Sequence, residues 1–126
     1  MTALLLDTHA LLWFLVDDRR LSEPARAAIA AERNVPLVSA ASAWEIAIKA
    51  AKGRLTVPSE LPRLLHELGF GALEMTHEHA WAAGSLPDTG HQDPFDRVIA
   101  AQALAERLPV VSHDRAFDAY GVERCW

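Results

Sequence analysis

The chain is short of the residues that would suggest several simple assignments. Of its 126 residues one is cysteine, Cys125. It can form no internal disulfide and no thiolate cluster, so a reducing cytoplasm is the default compartment. The roughly 18 unbroken apolar residues of a membrane span are missing. The apolar stretch from Ala3 to Val16 is interrupted by Asp7 and His9, and Met1-Thr2-Ala3-Leu4 carries no basic n-region, so no secretory leader is expected. Basic charge is scarce as well. Twelve Lys and Arg against 17 Asp and Glu leave a net charge of −5, the wrong sign for a nucleic-acid binder unless the acids have another partner. There is no repeat, low-complexity tract or interdomain linker. With half its residues apolar, the chain is expected to form one domain over residues 1–126, large enough for a core without metal or disulfide staples.

The apolar residues are patterned. Ala3-Leu4-Leu5-Leu6 is short and fully apolar, and Leu11, Leu12, Phe14 and Leu15 then recur at helical spacing, which predicts a buried parallel strand followed by a helix. Ser22 caps a second helix reaching about Glu32. Val35 to Ser39 reads as a second strand, and Ala40 to Lys52 as a third helix stopped by Gly53. A helix from about Glu60 to Leu68, a short strand over Ala72 to Met75 and a short helix from His77 to Ala83 follow. Ser85 to Gln92 is loop-like. Pro94 lacks an amide hydrogen and has a preset backbone angle, so it suits the first position of a helix that Asp93 caps and that runs to about Arg107. Val110 to Ser112 is a fourth strand, Asp114 to Tyr120 a helical turn or two, and Gly121 to Glu123 a fifth strand. Strands alternating with helices predict an α/β fold with a mostly parallel central sheet of four to five strands.

In such a sheet the residues just past the carboxyl ends of the strands converge at one edge, where ligands bind. Four acids from four distant segments are placed to reach that edge. Asp7 follows the first strand and Asp114 the fourth. Asp96 falls in the first turn of the helix that leads into the fourth strand, on the same stripe as Ile99, Ala100 and Ala103. Glu45 lies one to two turns into the helix after the second strand. Each acid also has a structural use. Asp7 and Asp114 could cap the turns that follow them, Asp93 and Asp96 could form a capping box, and Glu45 could box with Ser42 or pair with Lys49. Taken together, however, clustered carboxylates without a dedicated basic partner repel one another. A hard divalent cation with oxygen ligands relieves that, and magnesium or manganese fits best. Zinc would call for His or Cys ligands, and His77-Glu78-His79 does not have the spacing of a two-His zinc helix.

Four stretches carry a resemblance: Leu5-Leu6-Asp7-Thr8-His9, Trp44-Glu45-Ile46-Ala47-Ile48-Lys49, His91-Gln92-Asp93-Pro94-Phe95-Asp96-Arg97 and Val111-Ser112-His113-Asp114. The chain resembles the PIN-domain ribonucleases, and most closely the VapC toxin group of bacterial type II toxin–antitoxin systems. The resemblance covers almost the whole chain in order and spacing; the Asp-Pro-Phe-Asp-Arg block with Trp-Glu-Ile-Ala-Ile-Lys upstream is its specific part. It implies a PIN-like three-layer α/β/α fold and places the family's four acids on Asp7, Glu45, Asp96 and Asp114. Asp93 is an extra acid that many PIN domains lack, a cap, an outer ligand or both. His9 stands where an amide or hydroxyl residue is also common and is given no catalytic role. The resemblance further implies one or two Mg2+ ions (Mn2+ would also serve), a water activated for in-line attack on an RNA phosphodiester, a VapB-type antitoxin as partner, a homodimer, and a cytoplasmic site of action away from membranes. An antitoxin segment is expected to enter an apolar mouth near Trp13, Phe14 and Trp44.

The charge objection then shrinks, because setting aside Asp7, Glu45, Asp93, Asp96 and Asp114 takes the net charge from −5 to 0. Lys49, Lys52, Arg54, Arg97 and Arg115 are candidate contacts to the RNA backbone, with Lys49 also able to orient Glu45. Other functions fit less well. A phosphatase or phosphotransferase with an aspartyl nucleophile after the first strand wants a second acid two residues on, where this chain has His9. A response-regulator receiver wants an acidic pair there and a lysine after the last strand. A non-catalytic interaction domain on the same fold would be favoured by a missing acid, and none is missing.

Overall fold

The computed structural model describes residues 2–126. Among these residues the chain runs β1 (Thr2–Leu6), α1 (Thr8–Leu15), α2 (Glu23–Ala30), β2 (Asn34–Ser39), α3 (Ala40–Ala51), α4 (Leu61–Glu67), β3 (Gly71–Leu73), α5 (His77–Ser85), α6 (Pro94–Glu106) and β4 (Val110–Val111). A 3-10 helix (Arg115–Tyr120) and β5 (Arg124–Cys125) complete it. The five strands form one sheet in the order β3-β2-β1-β4-β5, and every neighbouring pair is parallel. No helix among the described residues is long and apolar enough to cross a membrane.

Strand alternation builds the layers. Successive side chains point to opposite faces, so Leu4 and Leu6 of β1 join Val38 and Val111 in a core with α1, α2 and α4, where Leu11, Ile29 and Leu65 are buried. Leu5 and Val110 face the other way. There they meet Ile99, Ala100 and Ala103 of α6 and Phe117 and Tyr120 of the 3-10 helix. The result is the expected three-layer α/β/α arrangement with the sheet wrapped on both sides.

Two strands, the fifth and the third, depart by more than a residue from the bounds that the pattern predicts. The fifth strand is expected over Gly121 to Glu123 and is found at Arg124–Cys125. Gly121 closes the 3-10 helix with φ 78°, a left-handed conformation that glycine adopts without strain, and the chain becomes extended only beyond it. Val122, expected within the strand, is buried in the second core instead. The third strand ends at Leu73 rather than at Met75. The Glu74 carbonyl accepts from the Gln102 side chain, and Thr76 already caps α5. Gly71 at the strand's start lies so close to β2 that a Cβ there would meet Leu37 Cδ2 at 2.6 Å.

Two features position the site. The order of strands changes direction between β1 and β4, which opens a crevice at their carboxyl ends. In addition, α3 and α6 are keyed together by one buried amide. The Ser39 hydroxyl, which caps α3, donates to Gln102 Oε1 of α6 at 2.6 Å, while Gln102 Nε2 donates to the Glu74 carbonyl at 3.2 Å.

Candidate active site

Asp7 ends β1 and begins α1. It caps that helix, accepting from the Ala10 amide at 2.7 Å, and it also accepts the hydroxyl of Ser112 at the end of β4. The same Ser112 oxygen receives the Asp114 amide at 2.9 Å, so one hydroxyl joins two of the expected acids. Asp7 is buried. Burial pushes its carboxyl above the usual range, the bonds from Ser112 and Ala10 pull it back, and the charge of Asp114 pushes it further up.

Asp93 and Asp96 take different work. Asp93 Oδ1 accepts the amides of Phe95 and Asp96 at 2.9 and 3.1 Å, which makes it the cap of α6. Asp96 does not complete a capping box with it. Its carboxylate turns to the imidazole of His91, with Nε2 2.8 Å from Oδ2. Burial pushes the Asp96 carboxyl up to about 6; the His91 bond works against this, and the charges of Asp93 and Asp7 reinforce it.

Glu45 is buried in the second turn of α3 and is paired with Lys49 one turn on, Nζ to Oε2 at 2.8 Å. Ser42 is not its capping partner, since Ser39 caps the helix. Ser42 instead accepts the Thr8 hydroxyl at 3.0 Å, docking the start of α1 against α3. Asp114 is exposed and caps the 3-10 helix through the Ala116 amide at 2.9 Å. The structural uses weighed for Asp7, Asp93 and Asp114 are thus realised, without taking these carboxylates away from the sheet edge.

His91, Asp96 and Asp114 each offer one ligand atom, and these atoms all lie within 4.8 Å of one another. Asp7 is electrically coupled to both acids, as its own raised carboxyl and that of Asp96 record. Glu45 lies outside the tight trio and holds its own cation. Burial and neighbouring charge push the carboxyls of Asp7 and Asp96 upward, and a divalent cation with oxygen ligands would relieve that crowding of like charges.

The basic residues separate. Lys49 sits on Glu45. Arg115 lines a small polar pocket of about 300 Å³ with Asp7, His9, Trp13, His113 and Asp114. Arg97 is turned away from the crevice, donating to the carbonyls of Leu86 (2.8 Å), Ala83 (3.2 Å) and Pro87 (3.4 Å) and to the phenolic hydroxyl of Tyr120. As placed, it straps the loop before α6 rather than offering a backbone contact. Of the aromatic mouth, Trp13 lies at the site, stacked on His9, and Trp44 is exposed against Phe95. Phe14 packs on Phe70 in the first core, because it falls on the buried stripe of α1. A larger, mostly apolar groove of about 540 Å³ runs from His9 and Trp13 along Leu55, Leu61 and Leu64, with Lys49 and Arg54 on its walls.

Patterning assigns no role to His91, Ser112, Thr8 or Tyr120. His91 lies before the helix, where no periodicity reports its direction. The only available signal for Ser112 was its position, one residue past a strand end beside Asp114.

The family model of the PIN domain matches residues 4–123. The chain is 33% identical over 118 residues to Ribonuclease VapC22 of Mycobacterium tuberculosis (strain ATCC 25618 / H37Rv), covering 91% of this chain and 89% of the relative. Its fold is similar to that of VapBC2 from Rickettsia felis bound to a promoter DNA fragment, with a TM-score of 0.69 at 14% identity over 99% and 100% of the two chains. It is also similar to DNA-bound VapBC from Salmonella typhimurium, with a TM-score of 0.68 at 19% identity over 98% and 97%. The chain belongs to the PIN-domain family, in its VapC group.

Proposed function

We propose that this chain is a divalent-metal-dependent endoribonuclease, the toxin of a type II toxin–antitoxin module, acting as one PIN domain over residues 1–126 in the cytoplasm. The observation that carries the reading is the meeting of Asp7, Asp96 and Asp114 from three segments at one crevice, where burial and the charge of neighbouring acids push the carboxyls of Asp7 and Asp96 upward. The named activity of the 33% identical relative, a ribonuclease, supports it.

Asp7, Asp96 and Asp114, with Glu45 beside them, would hold Mg2+; Mn2+ would fit the same oxygens. When bound, such a cation lowers the pKa of water and neutralises charge developing on a phosphodiester. The chain's own contribution is preorganisation. Ser112 holds Asp7, Lys49 holds Glu45, and the Ala116 amide holds Asp114, so the acceptors are aimed before RNA arrives. Arg115 stands at the mouth of the polar pocket as a phosphate contact. No side-chain nucleophile is needed.

Asp7→Asn and Asp96→Asn should abolish RNA cleavage and growth arrest while the protein stays folded, and excess EDTA should stop the wild type. Full cleavage by either folded variant, or undiminished cleavage in EDTA, overturns the reading. A VapB-type antitoxin is the proposed partner, with an apolar segment lying in the groove beside Trp13 and reaching towards the acids. Co-expression with it should restore growth through a complex that survives purification. A homodimer is proposed as well, supported by Trp81 of α5, which is 82% exposed. Sedimentation of the wild type and of Trp81→Ser tests it, a monomeric wild type ending the idea.

A further inference from the structure

We propose that His91 is a ligand of the metal centre, making it a mixed nitrogen–oxygen site that favours Mn2+ over Mg2+ more strongly than carboxylates alone would. The inference rests on the metal-centre reading above and adds to it a residue from the loop before α6. The first support is spacing. For a six-coordinate ion with bonds of about 2.1 Å, adjacent ligand atoms lie about 3 Å apart and opposite ones about 4.2 Å. His91 Nε2 and Asp96 Oδ2 are 2.8 Å apart, as an adjacent pair would be, and one atom from each of His91, Asp96 and Asp114 falls within 4.8 Å of the others. One ion can therefore touch all three with little rearrangement.

The second support is the way the imidazole is held. Its loop is fastened at both ends by side chains of α6 and the 3-10 helix. Tyr120 donates its hydroxyl to the His91 carbonyl at 3.2 Å, and Arg97 donates to the carbonyls of Ala83, Leu86 and Pro87. The Arg97 guanidinium also lies 5.9 Å from the centre of the Tyr120 ring, which locks the two straps together. The His91 side chain is 24% exposed, a partly buried group at the crevice rather than a free surface one. Outer groups that fix a ligand's backbone and orientation are what metal-binding imidazoles commonly have. Imidazole nitrogen is a softer donor than carboxylate oxygen, so its presence raises affinity for Mn2+ more than for Mg2+. If the imidazole served only to orient Asp96, no nitrogen would reach the ion.

Mn2+ is the probe, because its bound form reports neighbouring nitrogen in pulsed electron paramagnetic resonance. The full chain with one equivalent of Mn2+ should show 14N modulation that changes to the 15N pattern when histidine alone is isotopically labelled. His91→Gln should bind Mn2+ about ten-fold more weakly, lose the modulation, and bind Mg2+ with a smaller change. The labelling experiment needs no substitution, so it stands even if the variant folds poorly. Bound Mn2+ without nitrogen modulation, or modulation that persists in folded His91→Gln because His9 or His113 supplies it, overturns the proposal and leaves the nuclease reading intact. Failure of the wild type to bind Mn2+ at all overturns both.

Discussion

Ser112 donates its hydroxyl to the carboxylate of Asp7, tying the end of β4 to the end of β1. A hydrogen bond to a charged acceptor contributes about 1.5–3 kcal/mol, and losing it would push the Asp7 carboxyl further up. Ser112→Ala should therefore lower the Tm in EDTA at neutral pH and reduce cleavage by about ten-fold or more, since it also releases the Asp114 amide. Thermal melts and initial rates measure both effects. Wild-type rates in the folded variant would show that Asp7 needs no such support.

Asp96 sets a pH dependence. Its carboxyl titrates at about 6 in the folded metal-free protein against 3.8 for an unperturbed side chain. The folded form therefore binds more protons across that window, and stability falls as pH rises through it; below 3.8 the penalty is absent. The full difference is on the order of 3 kcal/mol. Asp96→Asn should flatten this part of the profile, raise the Tm in EDTA at neutral pH and remove activity, a trade of function for stability. Mg2+ should stabilise the wild type and the variant much less. A variant that melts lower in EDTA and gains as much from Mg2+ would show Asp96 acting only as part of the helix start.

Lys49 is the test of whether a cation near the crevice serves RNA or serves Glu45. Its ammonium lies on Glu45 Oε2 at 2.8 Å. Lys49→Gln should weaken Mg2+ binding and cleavage while leaving the salt dependence of RNA affinity unchanged. A direct phosphate contact would instead reduce that slope by about one. Binding titrations at several salt concentrations distinguish the two.

Arg107 closes α6 with φ 55° and ψ 51°, the left-handed region that costs an L-residue roughly 1–2 kcal/mol. Arg107→Gly removes most of that strain and should raise stability by about 0.5–1 kcal/mol, at unchanged activity. Chemical denaturation would detect it. A loss of stability would mean that the guanidinium makes contacts worth more than the backbone conformation costs.

Much of the fold was legible because burial and punctuation agreed. Leu4-Leu5-Leu6 reads as a fully buried strand and is one, and Asp93-Pro94 marks the start of α6 to the residue. Where a side chain competed with the ladder, legibility failed. Gln102, 63 positions from its partner Ser39, takes the Glu74 carbonyl where β3 ends, and no local pattern announces that. Asp7, Asp96 and Asp114 were legible by position, since each follows a strand or opens a helix, and Glu45 by its place in the helix after β2. Their partners were not, because His91 and Ser112 act through distances that only the folded chain sets. Arg97 shows the converse: it is a candidate phosphate contact by charge, but neighbours on a helix point about 100° apart, and its guanidinium meets the loop rather than following Asp96.

The placement of β1 also orders events in time. Its first neighbour, β2, is complete by Ser39, but its second, β4, begins only at Val110. A chain emerging from the ribosome can thus zip β1, β2 and β3 together while Asp7 still lacks Ser112, Asp96 and Asp114. Contacts this distant along the chain form late, since a long loop must close before they reward it. For a nuclease the consequence is protective: a nascent or prematurely terminated polypeptide carries the early half of the crevice but not the proposed cutting centre.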